Sequence, residues 1–466
     1  MLTCILDIGK THSRLVLLGP AGAVVNLRAC DSTSCETPGG WRALDTDATY
    51  AWLVEQFATL GDDRRRVRHL VVTTHGAAVA ALAGDALALP VPDYEFAGFD
   101  DRPSGTLAEL DPFDQTLSPV LPRGLNAGLQ LDWLARHEPT ALARADCLVP
   151  YAQYWAWRLS GVAASEASSL GCHTLLWNPR ARTWSDWARR RGWAARFAPV
   201  RSAWDVLGSV RADLSQRVGL ARDALVHVGV HDSNACLARW LRHWPRMTLV
   251  SSGTWVVVMA PGSPARRLDP EADELANVSV RGEIVPTARF MGGRELQAIC
   301  AGADPALASV AALETLLARG LYVLPGFEAQ GGPFRDRIGR LEDSRGGCML
   351  SDLSRPERAT AAALYVAQMA VHTIDRLGGA QPVVLEGPFT ANPVIVAVMA
   401  ALLPADALHV VQDELEGTVR GSAMLARWTE HQPQPATRVA SAAPALSQAL
   451  RQHHDRWLAR VANPAD

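Results

Sequence analysis

The chain has 466 residues, with 45 Lys plus Arg against 48 Asp plus Glu, and a formal net charge of −3. A length beyond what one hydrophobic core usually covers predicts two domains, and 48% apolar with 20% charged residues is the make-up of an ordinary globular protein. The charge balance gives no electrostatic reason to expect nucleic acid or an anionic membrane as a partner.

Eight cysteines stand at positions 4, 30, 35, 147, 172, 236, 300 and 348, none in CxxC spacing and several in apolar runs. Buried free thiols of a reduced compartment explain them better than disulfides or zinc. The apolar start has no basic region ahead of it and is interrupted by Asp7, unlike a signal peptide. No apolar run approaches the roughly 20 residues of a membrane helix. The expected location is cytoplasmic.

The first predicted element runs from Leu2 to Leu18: an apolar strand to Asp7, a turn at Ile8-Gly9-Lys10-Thr11, and a second apolar strand. The turn combines an acid, a flexible backbone, a cation and a hydroxyl, the parts needed to hold a nucleotide phosphate and its magnesium. Lys10 is the single lysine of the chain; every other cation is Arg. An ammonium is a compact point charge and not a planar fork, so its retention points to a specific partner. Ala23 to Ala29 predicts a third strand. Asp45 to Leu60 has helical spacing, with Asp47 as candidate cap. His69–Thr73 reads as a buried strand ending at Thr74-His75-Gly76, where open α/β sheets place ligands.

Residues 84 to 125 form a long connection rich in Pro, Gly and Asp, more often functional than idle at that length. Its Pro92-Asp93-Tyr94-Glu95 and Asp100-Asp101-Arg102 are polar enough to grip a hydroxylated ligand, and each alone reads equally well as a surface turn. Helices are predicted at Gly128–His137 and Ala152–Leu159, the second closed by Gly161. Val226–Val230 is a strand broken by His231-Asp232-Ser233-Asn234, and the domain boundary is set at residue 242, giving 1–242 and 243–466.

The second half opens as the first does. Leu249-Val250-Ser251-Ser252-Gly253-Thr254-Trp255 is a strand and a Gly-Thr turn, followed by the apolar strand Val256–Met259. Two such openings suggest a duplicated fold holding nucleotide between its halves. Further on, Gly292-Gly293 precedes a helix, Glu357–Leu377 is a long helix, and Pro382–Leu385 is a strand. The turn Glu386-Gly387-Pro388-Phe389-Thr390-Ala391-Asn392 leads into a helix begun by Pro393. No chemistry is assigned to the tail after residue 431.

The turn Gly9-Lys10-Thr11 is not a P-loop, because Cys4 stands where that motif needs Gly, and no GxGxxG follows a strand. A different pattern holds. Through Asp7-Ile8-Gly9-Lys10-Thr11-His12-Ser13-Arg14, Gly229-Val230-His231-Asp232, Ser251-Ser252-Gly253-Thr254-Trp255 and Glu386–Asn392, in that order and spacing, the chain resembles the FGGY family of carbohydrate kinases over roughly residues 1 to 430. The resemblance implies an α/β protein of two actin-like (ribonuclease H-like) domains with an interdomain active-site cleft, the first domain binding sugar and the second ATP. It implies Asp7 as the Mg²⁺ residue, acting through water. Gly9, Lys10, Thr11, Gly253 and Thr254 would hold phosphates, Gly387 and Asn392 would lie against the adenosine, and Asp232 would be the general base. By analogy, sugar contacts come from Thr74, His75, Gly76, Asn126 and Gln130, with Asp232 at the reacting hydroxyl.

The implied partners are ATP and a small sugar, a ketose such as rhamnulose, fuculose or xylulose; the implied cofactors are ATP and Mg²⁺. A homodimer is compatible with the sequence, which does not state an oligomeric form. Two departures from the family pattern stand out: Glu386-Gly387-Pro388 replaces a Gly-rich adenosine turn, and Lys10 replaces an uncharged residue. Rival readings are a kinase of another polyol or of a sugar acid, and a non-catalytic ATP- or sugar-binding member of the superfamily. Asp232 counts against the last, since binding alone needs no base. A metal triad of His75, His173 and His231 has no ligand logic in its spacing.

Overall fold

The computed structural model describes residues 1–263, 268–329, 331–413, 415 and 417–462. They divide into two compact units. The first comprises Met1–Arg242, Ala276–Ile284 and Leu415–Pro433; the second comprises His243–Leu275, Val285–Glu414 and Gln434–Asp466.

In the first unit, β1 (Leu2–Ile8) and β2 (His12–Leu18) form an antiparallel hairpin, and β3 (Val24–Asp31) extends it. Helix α1 (Thr46–Thr59) is capped by Asp45, whose side chain accepts from Ala48 N at 2.9 Å; Asp47, the cap expected from the sequence, lies inside the first turn. β4 (Val67–Thr74) then pairs parallel to β1. After it come β5 (Val79–Ala83), α2 (Ala127–His137), β6 (Cys147–Pro150) and α3 (Tyr151–Ser160). Gly161 ends α3 in the left-handed region at φ 79°, and Trp155 and Trp157 are buried in the core. β7 (Val206–Ser209), β8 (Leu225–His227), β9 (Val230–His231) and α4 (Asp232–Leu241) complete this part.

The main sheet runs β7-β8-β4-β1-β2-β3, with β9 also paired to β4. Side chains alternate across it as a pleated strand requires. Cys4, Leu6, Ile8, Leu15, Leu17, Leu70 and Val72 join the larger core, while Ile5, Val16, Leu18 and Val71 face the other way.

The second unit repeats this plan. β10 (Thr248–Ser252), β11 (Val256–Met259) and β12 (Ile284–Phe290) form an antiparallel meander. Helix α5 (Gly292–Cys300) follows, and α6 (Arg355–Leu377) starts from a Ser354/Glu357 capping box. β13 (Val383–Glu386) is parallel to β10; α7 (Pro393–Leu402) then leads to β14 (Leu408–Val411), parallel to β13. Both sheets therefore contain the same order, β3-β2-β1-β4-β8 in one and β12-β11-β10-β13-β14 in the other. The duplication read from the two strand–turn–strand openings is a duplication of topology.

Helix α8 (Gly417–Leu425) belongs to the first unit and covers the second face of its sheet, Val419 and Ala426 packing with Ile5, Val16 and Val71. Helix α9 (Pro444–Ala462) docks on the second unit: Leu450, Trp457 and Val461 are buried, and Trp457 Nε1 donates to Val323 O at 2.8 Å. The tail is structural. No described helix is long and apolar enough to cross a membrane. The eight cysteines are free thiols, with Cys4, Cys172, Cys236 and Cys300 buried.

Two outcomes follow from this packing. A Cβ on Gly421 would collide with the carbonyl oxygen of Ala235 in α4. Gly421→Ala is expected to destabilise the first unit by about 1–3 kcal/mol, measured by denaturant unfolding; an unchanged midpoint would mean the two helices can part at no cost. Burial lowers His227, His372 and His454 to about 4 each, whereas an unfolded imidazole titrates near ~6.5. Below that value the unfolded chain takes up more protons, so their contribution is complete above pH ~6.5 and is lost as pH falls toward ~4. The melting temperature should fall over that window, and a flat profile would contradict the burial.

Candidate active site

The register of the first sheet assembles one group of polar residues. Asp7 is level with Thr73 and Ile8 with Thr74 across β1 and β4, while Val230 and His231 are level with the same two residues across β9 and β4. Three parallel strands thus end side by side, bringing Asp7, Thr74-His75 and His231-Asp232 to one edge. Asp232 is the first residue of α4, where the helix N-terminus favours a carboxylate. Its Oδ1 accepts from Ser233 N at 2.6 Å and lies 3.1 Å from His231 Nε2. No described residue hydrogen-bonds Oδ2, and the side chain is 34% exposed. One carboxylate oxygen is anchored and the other is open to accept a proton.

His75 forms the adjoining wall. Its Nδ1 donates to Gly76 O at 2.7 Å, and its ring stands 5.0 Å from Tyr151 and 5.5 Å from Tyr94. Burial pushes its pKa below the ordinary imidazole value, so it is neutral at physiological pH, leaving Nε2 as an acceptor. Thr74, His75, Gly76, Tyr151 and His231 line a cavity of about 10 Å³. A Cβ on Gly76 would come within 3.1 Å of the His231 ring and 3.2 Å of Cys172 Sγ, so a larger residue here would press on both side chains. Cys172 Sγ lies 3.2 Å from His231 Nε2.

The turn after β1 is held from below. Gly9 N donates to His12 O at 2.9 Å, Ser32 N to Thr11 O at 2.8 Å and Ser32 Oγ to Gly9 O at 2.8 Å. Asp7 lies 3.9 Å from Arg14 Nη1. A carboxylate beside a backbone turn is the kind of group that could hold a hydrated divalent cation; no described group of three His, Cys, Asp or Glu side chains could hold a metal by itself. His173, the third member of the rejected triad, is bonded to Leu125 O at 2.7 Å.

Lys10 has partners within the protein. Its ammonium lies 2.8 Å from Asp93 Oδ2, 3.3 Å from Glu95 Oε2 and 3.4 Å from Ser34 Oγ, instead of standing free at the turn for a phosphate. Burial alone would raise the Asp93 carboxyl, but the bonds from Lys10, Ser34 and Glu95 N outweigh it and hold the pKa below the usual value. The other polar stretch of the same connection is a brace: Arg102 bonds Phe99 O and Arg123 O, and Asp100 accepts from Arg123 N.

Asn126 and Gln130 also have partners within the protein. Asn126 is fully buried, accepting from Leu121 N and donating to Pro119 O and His173 O. Gln130 Nε2 donates to Ala77 O at 2.6 Å. Both tie loops to α2 and neither lines the cavity beside His75. Tyr94, from the stretch read as able to grip a hydroxylated ligand, and Tyr151, given no role in the sequence reading, flank His75.

In the second unit, the ends of β10 and β13 meet in register, Ser251 level with Glu386. Ser252 Oγ donates to Glu386 O at 2.6 Å and accepts from Phe389 N at 3.1 Å. Gly387 sits at φ 83°, and a Cβ there would strike Ser252 O. A Cβ on Gly293, at the start of α5, would likewise strike Gly253 O. These close approaches shape a cavity of about 900 Å³, whose lining includes Gly253, Thr254, Arg294, Gln297, Phe389 and Asn392. The Asn392 side chain itself caps α7, accepting from Val394 N and Ile395 N. Arg294 and Gln297 were not singled out from the sequence, although Gly292-Gly293 ahead of a helix marked the place.

Residues 115–238 match the model of the FGGY family of carbohydrate kinases, N-terminal domain, and residues 245–435 that of carbohydrate kinase FGGY, C-terminal domain. Among solved structures, a carbohydrate kinase from Novosphingobium aromaticivorans is 35% identical with a TM-score of 0.87, the match covering 99% of this chain and 98% of that one. Two proteins of Lactobacillus acidophilus share the fold at TM-score 0.77 with the same coverages: a xylulose kinase at 13% identity and a gluconate kinase at 14%. A comparison with curated proteins gives no match. With family models over both halves and a 35% identical relative along its whole length, this chain belongs to the FGGY family of carbohydrate kinases and is a sugar phosphotransferase.

Proposed function

We propose that the protein transfers the γ-phosphate of ATP to a hydroxyl of a small sugar, a ketose or related polyol, with Asp232 as general base. The carrying observation is the divided Asp232 carboxylate, one oxygen anchored by Ser233 N and the other open, beside a neutral His75 that can accept a hydrogen bond from the same substrate. In the step, the acceptor oxygen attacks the γ-phosphorus and its proton passes to Asp232. The bond from that phosphorus to the bridging oxygen breaks, and ADP leaves. The backbone turns at Gly9–Thr11 and Gly253–Thr254 would hold phosphate oxygens. The cavity by Gly387 and Phe389 would take the adenosine. Asp7 would hold Mg²⁺ through water, which supplies positive charge to the phosphates. Most of the catalysis in such a reaction is positioning and charge neutralisation.

Asp232→Asn tests the base. Its kcat in a coupled ADP assay should drop roughly 10²–10⁴-fold while its unfolding midpoint stays in place. ATP turnover that ignores every sugar, together with an unaltered rate in this variant, would refute the proposal. Ser252→Ala tests the nucleotide side. Losing the two bonds that pin the Glu386–Phe389 turn should raise KM for ATP by about tenfold, the worth of one to two hydrogen bonds, with KM for the sugar little changed. An unchanged KM for ATP would remove the adenosine from that turn.

A further inference from the structure

The charge cluster around Asp93 is a buried polar construction in the first unit that the proposed chemistry leaves unused. The Asp93 side chain is 0% exposed and takes Lys10 Nζ at 2.8 Å, Arg42 Nε at 2.7 Å and Ser34 Oγ at 2.6 Å. Glu95, 40% exposed, takes the same two cations at 3.3 and 3.6 Å. Two cations and two carboxylates sum to zero. Lys10 Nζ is 5.8 Å from the Tyr94 ring, which stands 5.5 Å from the His75 ring. The fields of Asp232, Lys10 and Asp93 all reach His75.

We infer that Lys10, Arg42, Asp93 and Glu95 form a charge-balanced wall of the acceptor site, which admits an uncharged polyhydroxylated sugar and turns away sugar acids, with Lys10 positioning the acceptor side and not the phosphates. The physical reason is that both cations of the wall are already matched. A carboxylate arriving beside Asp232 would meet a negative charge and no surplus positive one, and a like-charge encounter in a partly buried site is strongly unfavourable. A neutral sugar meets hydrogen-bonding groups whose charges are mutually satisfied. Buried Asp93 also explains why an ammonium persists at position 10: Asp93 already receives the planar Arg42 fork, and the remaining approach suits a compact point charge.

The inference rests on the kinase reading of this site, and a two-part experiment on the full chain separates the two. First, the wild type is assayed for ADP release with xylulose, fuculose, rhamnulose and xylitol against gluconate and xylonate. Turnover of one or more neutral acceptors, with kcat/KM at least tenfold above either acid, is expected. An acid preferred over every neutral acceptor would overturn the charge-balanced wall and leave the kinase reading standing; no turnover of any acceptor would overturn both. Second, Glu95→Gln, at a half-exposed position where folding is not at stake, leaves one cation of the wall unmatched. It should raise the acid-to-neutral ratio of kcat/KM at least tenfold, and an unchanged ratio would overturn the wall. Lys10→Met should raise KM for the sugar about tenfold and KM for ATP less than twofold; the reverse split would return Lys10 to the phosphates.

Discussion

The parallel pairing of β1, β4 and β9 is the constraint on which the first unit's chemistry depends. Parallel strands in register end at the same level, so Asp7, Thr74-His75 and His231-Asp232, spread over about half the chain, arrive at one sheet edge. A slip of one residue in β4 would turn Leu70 and Val72 out of the core and carry His75 to the other face. The packing of both sheet faces therefore fixes the site as firmly as it fixes the fold. Helix α8 matters here because it seals the second face through Val419 and Ala426. The second unit uses the same device, with Ser251 and Glu386 level and Ser252 bonding the turn that follows β13.

Electrostatics in the first unit are arranged by burial more than by numbers of charges. His75 and His231 are both held toward the neutral form by desolvation. Tyr94 and Tyr151 are pushed toward the protonated form by the same cause. Beside these neutral groups, Asp232 is an acid with an open oxygen. The charged cluster nearest these groups, around Asp93, is internally balanced.

The second unit shows how a departure from an expected Gly-rich turn is accommodated. Pro388 and Glu386 narrow the backbone's choices, yet Gly387 remains where φ is 83° and where Ser252 O leaves no room for a Cβ. The turn keeps glycine at the position that sterics demand. Elsewhere, Ser252 and the Asn392 cap supply the rigidity that a run of glycines lacks.

Much was legible in the sequence because it depends on local pattern. The two strand–turn–strand openings, the Gly161 stop, the Pro393 start, the place of Asp232 after a strand and the family motifs all follow from residues close together in the chain. So does Lys10 as a residue with a particular partner. What only the tertiary structure decided is which partner, since Lys10 and Asp93 are 83 positions apart and long-range pairing leaves no local signature. The same reason separates Asp93–Glu95, which pairs with Lys10 and Arg42, from the equally polar Asp100–Arg102, which braces a loop. It also turns the Asn126 and Gln130 amides inward, onto carbonyl oxygens that distant loops offer. The sequence by itself determined the elements, the duplicated plan and the candidate base; the packing of distant segments against one another decided what each polar side chain touches.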